Sequence, residues 1–316
     1  MPFGRAVSAG VLLVLGAIPA AAQQRVDPDF EATVERPAYH DDGPTVVIDE
    51  SHGNFHTASG NYAPFAELLR HDGYTVLPGT RHFEAGSLDS VDVLVVANAN
   101  AGSLTDPAFT EAEADVVRDW VDAGGALLLI ADHAPFGASA ANLGARFGIG
   151  MGKGWVFDVA GGRFSAQIDF TAERGGLGVH AITQGRDSTE QVRVVRTFTG
   201  QSLVAPEGAT VLLALSPTAR ETPDTDRLNA EAAAHGAGEP VGGHSTSVGG
   251  RAQGLAMPFG RGRVVVLGEA AMFSAQVVTL SGEDGEPVTF RAGMNVPGND
   301  NRQLALNVLR WLSGLF

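Results

Sequence analysis

The sequence predicts an α/β protein built on a parallel sheet with helices on both faces. Three observations lead there. Short runs rich in Val, Ile and Leu alternate with amphipathic stretches of helical period. Two of the runs, 91–97 (VDVLVVA) and 126–131 (ALLLIA), are apolar almost throughout. Glycines punctuate the changes of period, as in Gly73 and Gly124-Gly125. Strands apolar on both sides need cover on both sides, which is the condition of strands in right-handed βαβ units.

Taken in order, residues 1–22 read as a secretory signal peptide. Arg5 precedes an apolar stretch centred on Val11-Leu12-Leu13-Val14-Leu15, and Pro19-Ala20-Ala21-Ala22-Gln23 supplies small residues for cleavage. The stretch is short and rich in Ala and Gly for a membrane span, so none is expected after cleavage. The expected location is periplasmic or secreted. Residues 23–43 are polar, contain proline and show no period, and read as an extended leader.

The first strand is expected at 44–49 (PTVVID), a helix at 63–71, and a second strand at 74–77. The third strand is the run 91–97. Residues 110–123 form an amphipathic helix with Thr110 as N-cap and an acidic first turn, stopped by Gly124-Gly125. The fourth strand is 126–131, and a short helix follows at 141–147. From Trp155 to about Ser216 the texture is strand-like and broken by glycine, with runs at 192–198 and 210–215. This reads as an antiparallel, β-rich insertion over about 155–250. Its last part, 218–250, is rich in Ala, Gly, Glu and Pro and reads as a long surface loop. A strand at 263–267 and an amphipathic helix at 302–312 close the chain. A single domain over 44–316 carrying that insertion fits the pattern better than two domains, although 316 residues admit both.

Composition narrows the function. A net charge of −15 argues against nucleic acid and against docking on anionic lipid. The chain has no cysteine, which removes disulfides, cysteine-ligated metal, thiol catalysis and a lipid anchor on cysteine together.

The polar residues worth following are those after each apolar strand. The first strand ends in Asp49-Glu50-Ser51-His52-Gly53-Asn54-Phe55-His56, the third in Asn98-Ala99-Asn100, the fourth in Asp132-His133, and the returning strand in Gly268-Glu269. In open parallel sheets ligands bind outside the carboxyl ends of the strands, and in a flavodoxin-like strand order the first, third and fourth strands are neighbours there. Any one of these residues could be a turn former or helix cap; together they make a polar rim.

Two chemistries suit such a rim. Asp49, Glu50, His52 and His56 offer ligands for a divalent metal such as zinc, manganese or iron, although their spacing matches no specific metal motif. Without metal, His133 could act as a general base held by a carboxylate, Asp132 or Glu269. Asn98 and Asn100 would then contact substrate. Other motifs carry less. The glycine-rich stretch 148–154 (GIGMGKG) lacks the P-loop offsets, and Gly243-His244-Ser245-Thr246-Ser247 lacks the final glycine of a nucleophile elbow. His71 and His82 read as ordinary surface histidines.

The stretch 120–133 (WVDAGGALLLIADH) resembles the helix, Gly-Gly, strand and elbow of class I glutamine amidotransferase-like proteins, nearest to the ThuA-like and DUF4350 groups. His180-Ala181-Ile182-Thr183-Gln184-Gly185 is similar to a His-Pro-Ile-x-x-Gly turn of such domains, with Ala181 in place of proline. Residues 268–273 and 299–307 resemble the closing strand, loop and helix of the DUF4350 group. The resemblance implies a flavodoxin-like fold across most of 44–316. It also implies that the elbow, which carries a nucleophilic cysteine in true amidotransferases, falls at Asp132-His133. No thioester can form there, so glutaminase activity is not expected.

Two readings of function follow. One is a periplasmic hydrolase-type enzyme acting at the rim on a small-molecule or envelope-derived ligand. The other is a non-enzymatic ligand-binding or envelope-assembly module that retains the pocket.

Overall fold

The structure, a computed structural model, describes residues 23–281 and 286–316. The signal peptide expected at 1–22 lies outside the described residues. A nine-stranded sheet forms the centre: β1 (Thr45–Asp49), β2 (Thr75–Gly79), β3 (Val93–Ala97), β4 (Ala126–Ile130), β5 (Gly150–Met151), β6 (Leu203–Val204), β7 (Thr210–Ala214), β8 (Ala252–Phe259) and β9 (Gly262–Leu267). Its order is β2-β1-β3-β4-β9-β8-β6-β5, with β7 also paired to β8. The run β2-β1-β3-β4-β9 is parallel throughout.

The apolar strands dictate the layers. Val93, Val95 and Ala97 of β3 pack with Leu128 and Ile130 of β4 on one face. There they meet Phe65, Leu68 and Leu69 of helix α1 (Ala63–His71). The closing helix contributes Leu304, Val308 and Leu309 to the same cluster. Leu94 and Val96, with Leu127 and Leu129, face the other way, against Ala114, Val117 and Val121 of helix α2 (Glu111–Asp122). Each buried Val or Leu contributes about 1.5–3 kcal/mol relative to exposure, so a one-residue slip of these strands would be costly on both faces.

Local signals set the helix ends. Thr110 and Glu113 form a reciprocal capping box at the start of α2. At its end Gly124 takes φ +122°, and a Cβ on Gly125 would run into the Trp120 ring. The closing helix α3 (Asn301–Leu312) is buried nearly all round and carries Arg310 into the interior. Arg310 makes a two-pronged pair with Asp72, the residue that caps α1, at 2.8 and 2.6 Å. Its remaining nitrogen lies 3.1 Å from Glu190.

The sheet is mixed, where the sequence pattern indicated a parallel one with a separate antiparallel insertion. Gly260, at φ +54°, turns the chain back on itself, so β8 pairs antiparallel with β9 and extends the same sheet. Strand β8 contains Gly254 and Pro258, which hide its strand character. Three smaller antiparallel arrangements surround the sheet. Among them, Ala219–Thr222 lies between Trp155–Asp158 and Thr246–Ser247.

Residues 218–250 are therefore not the surface loop expected from their composition. They contain two short strands and a helix, Thr225–Gly236, capped by Asp224 accepting from the Arg227 amide. Glu231 of that helix holds the following turn through Gly242, His244 and Ser245. The leader is anchored too: Gln23–Val26 pairs antiparallel with Ala275–Ser281.

Candidate functional site

The carboxyl ends of β1, β3, β4 and β9 lie side by side, and the chain beyond them is stitched together by backbone bonds. Asn98 donates to the Ile130 carbonyl, Ala131 to that of Leu267, and Phe55 to that of Asn98. The rim residues are thus neighbours, but their side chains divide into two groups.

The first group gathers around His52. Its Nδ1 lies 2.8 Å from Asp49 Oδ2 and its Nε2 lies 3.1 Å from Glu113 Oε1. His82 Nδ1 reaches the same Glu113 oxygen at 2.9 Å. The His52 ring sits between Phe83 and Phe109, with centroids 4.7 and 4.4 Å away. Burial alone would push the His52 imidazole down, but Asp49 and Glu113 outweigh it and raise it above the usual histidine value. Burial likewise opposes ionisation of Glu113, yet hydrogen bonds from Thr110 and His52 hold its carboxyl down at about 2.

Of the expected metal ligands, Asp49 and His52 come together. Glu50 and His56 go elsewhere. Glu50 accepts from the Ala58 amide at 2.8 Å and closes the loop after β1. His56 turns to the second group because Gly53, at φ +64°, and Asn54 make the segment a loop, in which residues four apart need not share a face.

The second group lies beyond β4 and β9. Asp132 Oδ1 accepts from the His133 amide at 2.7 Å. Glu269 is wholly buried and accepts from the Ala271 and Met272 amides at 2.7 and 2.8 Å. Burial, and next the Asp132 charge, push the Glu269 carboxyl well above its ordinary value. Tyr62 completes this floor. Its hydroxyl donates to the Ala270 carbonyl at 2.8 Å, and burial with the nearby Glu269 and Asp132 raises its phenol. The ring of His56 stacks on Tyr62 with centroids 4.4 Å apart. Burial, with a smaller contribution from His133, drives His56 down to about 3, so it is neutral near pH 7.

His133 is not held by a carboxylate side chain, the arrangement that the sequence suggested. Its Nδ1 faces the Ala134 carbonyl at 2.9 Å, and its ring lies on the indole of Trp155. Carboxylate–imidazole contacts are instead made by His52 with Asp49 and Glu113 and by His82 with Glu113. Asn98 and Asn100 are occupied internally. Asn98 takes φ +50° and its Oδ1 accepts from the Asp132 amide, while Asn100 Oδ1 accepts from the Gly102 amide.

Glu113, Tyr62 and Trp155 were not singled out in the sequence, and His82, which read as an ordinary surface histidine, joins the first group. Glu113 was visible only as part of the acidic first turn of α2. Trp155 and Tyr62 lack any pattern that separates them from core residues.

Beside the second group opens a cleft of about 670 Å³ lined by Lys153, Gly154, Glu221, Arg227, His244 and Ser245, among others. Its wall is tied to the His133 segment by the Ala134 amide, which donates to the Gly154 carbonyl at 3.3 Å.

Solved structures are similar to this chain to different degrees. The mmIFT52 N-terminal domain is similar with a TM-score of 0.54 at 15% identity, over 85% of this chain and 97% of that one. A ThuA-like protein from Bacteroides uniformis ATCC 8492 is similar at 14% identity and a TM-score of 0.44, over 88% and 93%. Another from Parabacteroides merdae ATCC 43184 stands at 11% and 0.42, over 86% and 91%. No family model matches the chain, and no curated protein matches its sequence. At 15% identity the likeness to the mmIFT52 N-terminal domain speaks of the fold and not of chemistry. Among the described residues no helix is long and apolar enough to cross a membrane.

Proposed function

We propose that this chain is an exported hydrolase-type enzyme with His133 as its general base. The observation that carries the reading is the bond from His133 Nδ1 to the Ala134 carbonyl. A carbonyl oxygen only accepts, so Nδ1 carries the proton and Nε2 presents a lone pair. Among the described residues Nε2 takes no hydrogen-bond partner, and the Trp155 indole fixes the plane of the ring. Water bound there can lose a proton to Nε2. Lys153 and Arg227 in the adjoining cleft suit an anionic small molecule or envelope fragment.

The parallel order β2-β1-β3-β4-β9 and the motif resemblances support a class I glutamine amidotransferase-like, flavodoxin-like ancestry close to the ThuA-like and DUF4350 groups. The missing cysteine removes glutaminase chemistry. The signal-like first residues support a mature protein in the periplasm or outside the cell.

One observation favours the second reading, a ligand-binding module: both Glu269 oxygens are taken by backbone amides. A single experiment separates the two. The mature protein and His133→Gln are assayed against soluble chromogenic esters, amides and phosphate esters bearing anionic groups. Turnover that falls by about 10²–10⁴-fold in the variant supports general-base catalysis. Turnover that is absent, or that His133→Gln leaves unchanged, refutes it, and saturable binding without turnover establishes the module.

A further inference from the structure

Three side chains from three separate elements converge outside the proposed catalytic group. His52 comes from the loop after β1, His82 from the loop after β2, and Glu113 from the first turn of α2. Their inward atoms form a nearly equilateral triangle: His52 Nε2 to Glu113 Oε1 is 3.1 Å, His82 Nδ1 to Glu113 Oε1 is 2.9 Å, and the two ring nitrogens are 3.3 Å apart. Ligands bonded at about 2.0–2.2 Å in a tetrahedral arrangement are spaced by about 3.3–3.6 Å, so the triangle needs only a slight opening to hold a small divalent cation.

Each donor is aimed by a partner behind it. Asp49 Oδ2, an acceptor, takes the Nδ1 proton of His52 at 2.8 Å, which directs the lone pair of Nε2 into the triangle. Asp49 is itself held by the Ser51 amide and hydroxyl. Glu113 Oε2 accepts from the Thr110 amide and hydroxyl at 2.8 and 2.7 Å, leaving Oε1 to point inward. Carboxylate–imidazole–metal relays have this form.

For Glu113 Oε1 to accept from both rings, His52 must carry protons on both nitrogens while buried between Phe83 and Phe109. A cation at the centre, in place of that second proton, lets both imidazoles stay neutral. We infer that His52, His82 and Glu113 form a three-ligand site for a first-row divalent cation such as zinc, with Asp49 orienting His52 and a fourth position open to water. Two imidazoles and one carboxylate select such ions over calcium or magnesium. The triangle is open to solvent on the side of His82, whose side chain is 66% exposed. The site keeps one of the ligands expected from sequence, His52, and moves Asp49 behind it. It stands independently of the reading of His133.

The test is zinc binding by calorimetry to the untagged, chelator-treated mature protein, with cobalt(II) absorption reporting geometry. One equivalent should bind, with the intense visible bands of tetrahedral cobalt. Asp49→Asn should weaken binding by about 10–100-fold, and His82→Ala by more, while His71→Ala leaves it unchanged. His82 is a surface side chain, so its removal leaves the fold in place, and circular dichroism verifies that. Absence of zinc binding by the parent protein, or binding that His82→Ala leaves unaltered, overturns the proposal.

Discussion

The imidazole of His133 lies flat on the indole of Trp155, with ring centroids 3.4 Å apart and planes 12° from parallel. A ring so placed cannot rotate about its outer bond without leaving the stack, and its Nδ1 is already committed to the Ala134 carbonyl. Orientation of the free nitrogen is therefore a property of two neighbours that do no chemistry themselves.

Trp155→Leu should release that ring. In nuclear magnetic resonance spectra the ring protons of His133 are expected upfield in the parent, under the indole current, and near their ordinary position in the variant. Misplacing a catalytic group by about 1 Å can cost about 10²-fold, so turnover of any substrate identified should fall by up to that factor. Trp155→Phe should retain most of both signals. Unshifted ring protons in the parent would show that the stack does not persist in solution.

His56 makes the protein sensitive to mild acid. Its folded value is lowered to about 3, chiefly by burial, whereas the unfolded chain takes up the proton near the ordinary value of about 6.5. Between those values the unfolded state binds more protons, so stability is full above about pH 6.5 and is lost as pH falls toward 3. His56→Phe keeps a ring on Tyr62 and removes the titration. In urea unfolding from pH 7 to 4.5, the parent should lose up to about 1.4 kcal/mol per pH unit more than the variant at the steepest point. Parallel curves would mean that His56 is protonated in the folded state.

Arg310 is the interior charge on which the closing helix depends. It is 1% exposed and faces Asp72 and Glu190, both buried. Arg310→Leu removes the cation and leaves two carboxylates without it, and breaking a buried pair in this way costs about 3–5 kcal/mol. The double variant Arg310→Leu/Asp72→Leu should recover part of that loss, because no lone charge remains at the cap of α1. Chemical denaturation of the parent, both single variants and the double variant gives the coupling; equal stability of Arg310→Leu and the double variant would contradict the recovery.

Strands β1 to β4, helices α1 and α2 and the closing helix were legible because each carries its own period and its own stop signal. Thr110, Gly124 and Gly125 sit where the boundaries of α2 are observed. Strand β8 and the helix Thr225–Gly236 were not, for opposite reasons. The first is broken by Gly254 and Pro258, and the second exposes so much of its surface that only Leu228 and Glu231 are buried. The rim itself followed from what comes after each strand. Its division into two groups did not, because that depends on the turn at Gly53 and on which way His52 and His56 leave it. His82 and Glu113 join His52 across 30 and 61 residues, a distance at which local pattern carries no information.

The glycine-rich stretch 148–154 offers a last test, since it looks like a phosphate cradle and is built as a packing seam. A Cβ on Gly154 would fall on the Thr222 carbonyl and 2.6 Å from Glu221 Cγ, and one on Gly152 would lie 2.5 Å from Glu221 Oε1. Glu221 is buried and bonded to Ser202 and to the Gly154 amide, so it cannot yield. Gly154→Ala should therefore cost about 1–3 kcal/mol of stability, the range for forcing atoms into a packed interior. Gly243 lines the same cleft with nothing within 4 Å of its would-be Cβ. Gly243→Ala should be neutral, or stabilising by about 0.4–1 kcal/mol through the unfolded chain. Thermal and urea unfolding of the two variants decide the matter. Equal stability would mean that the seam relaxes, and that these glycines serve the open cleft and not the packing behind it.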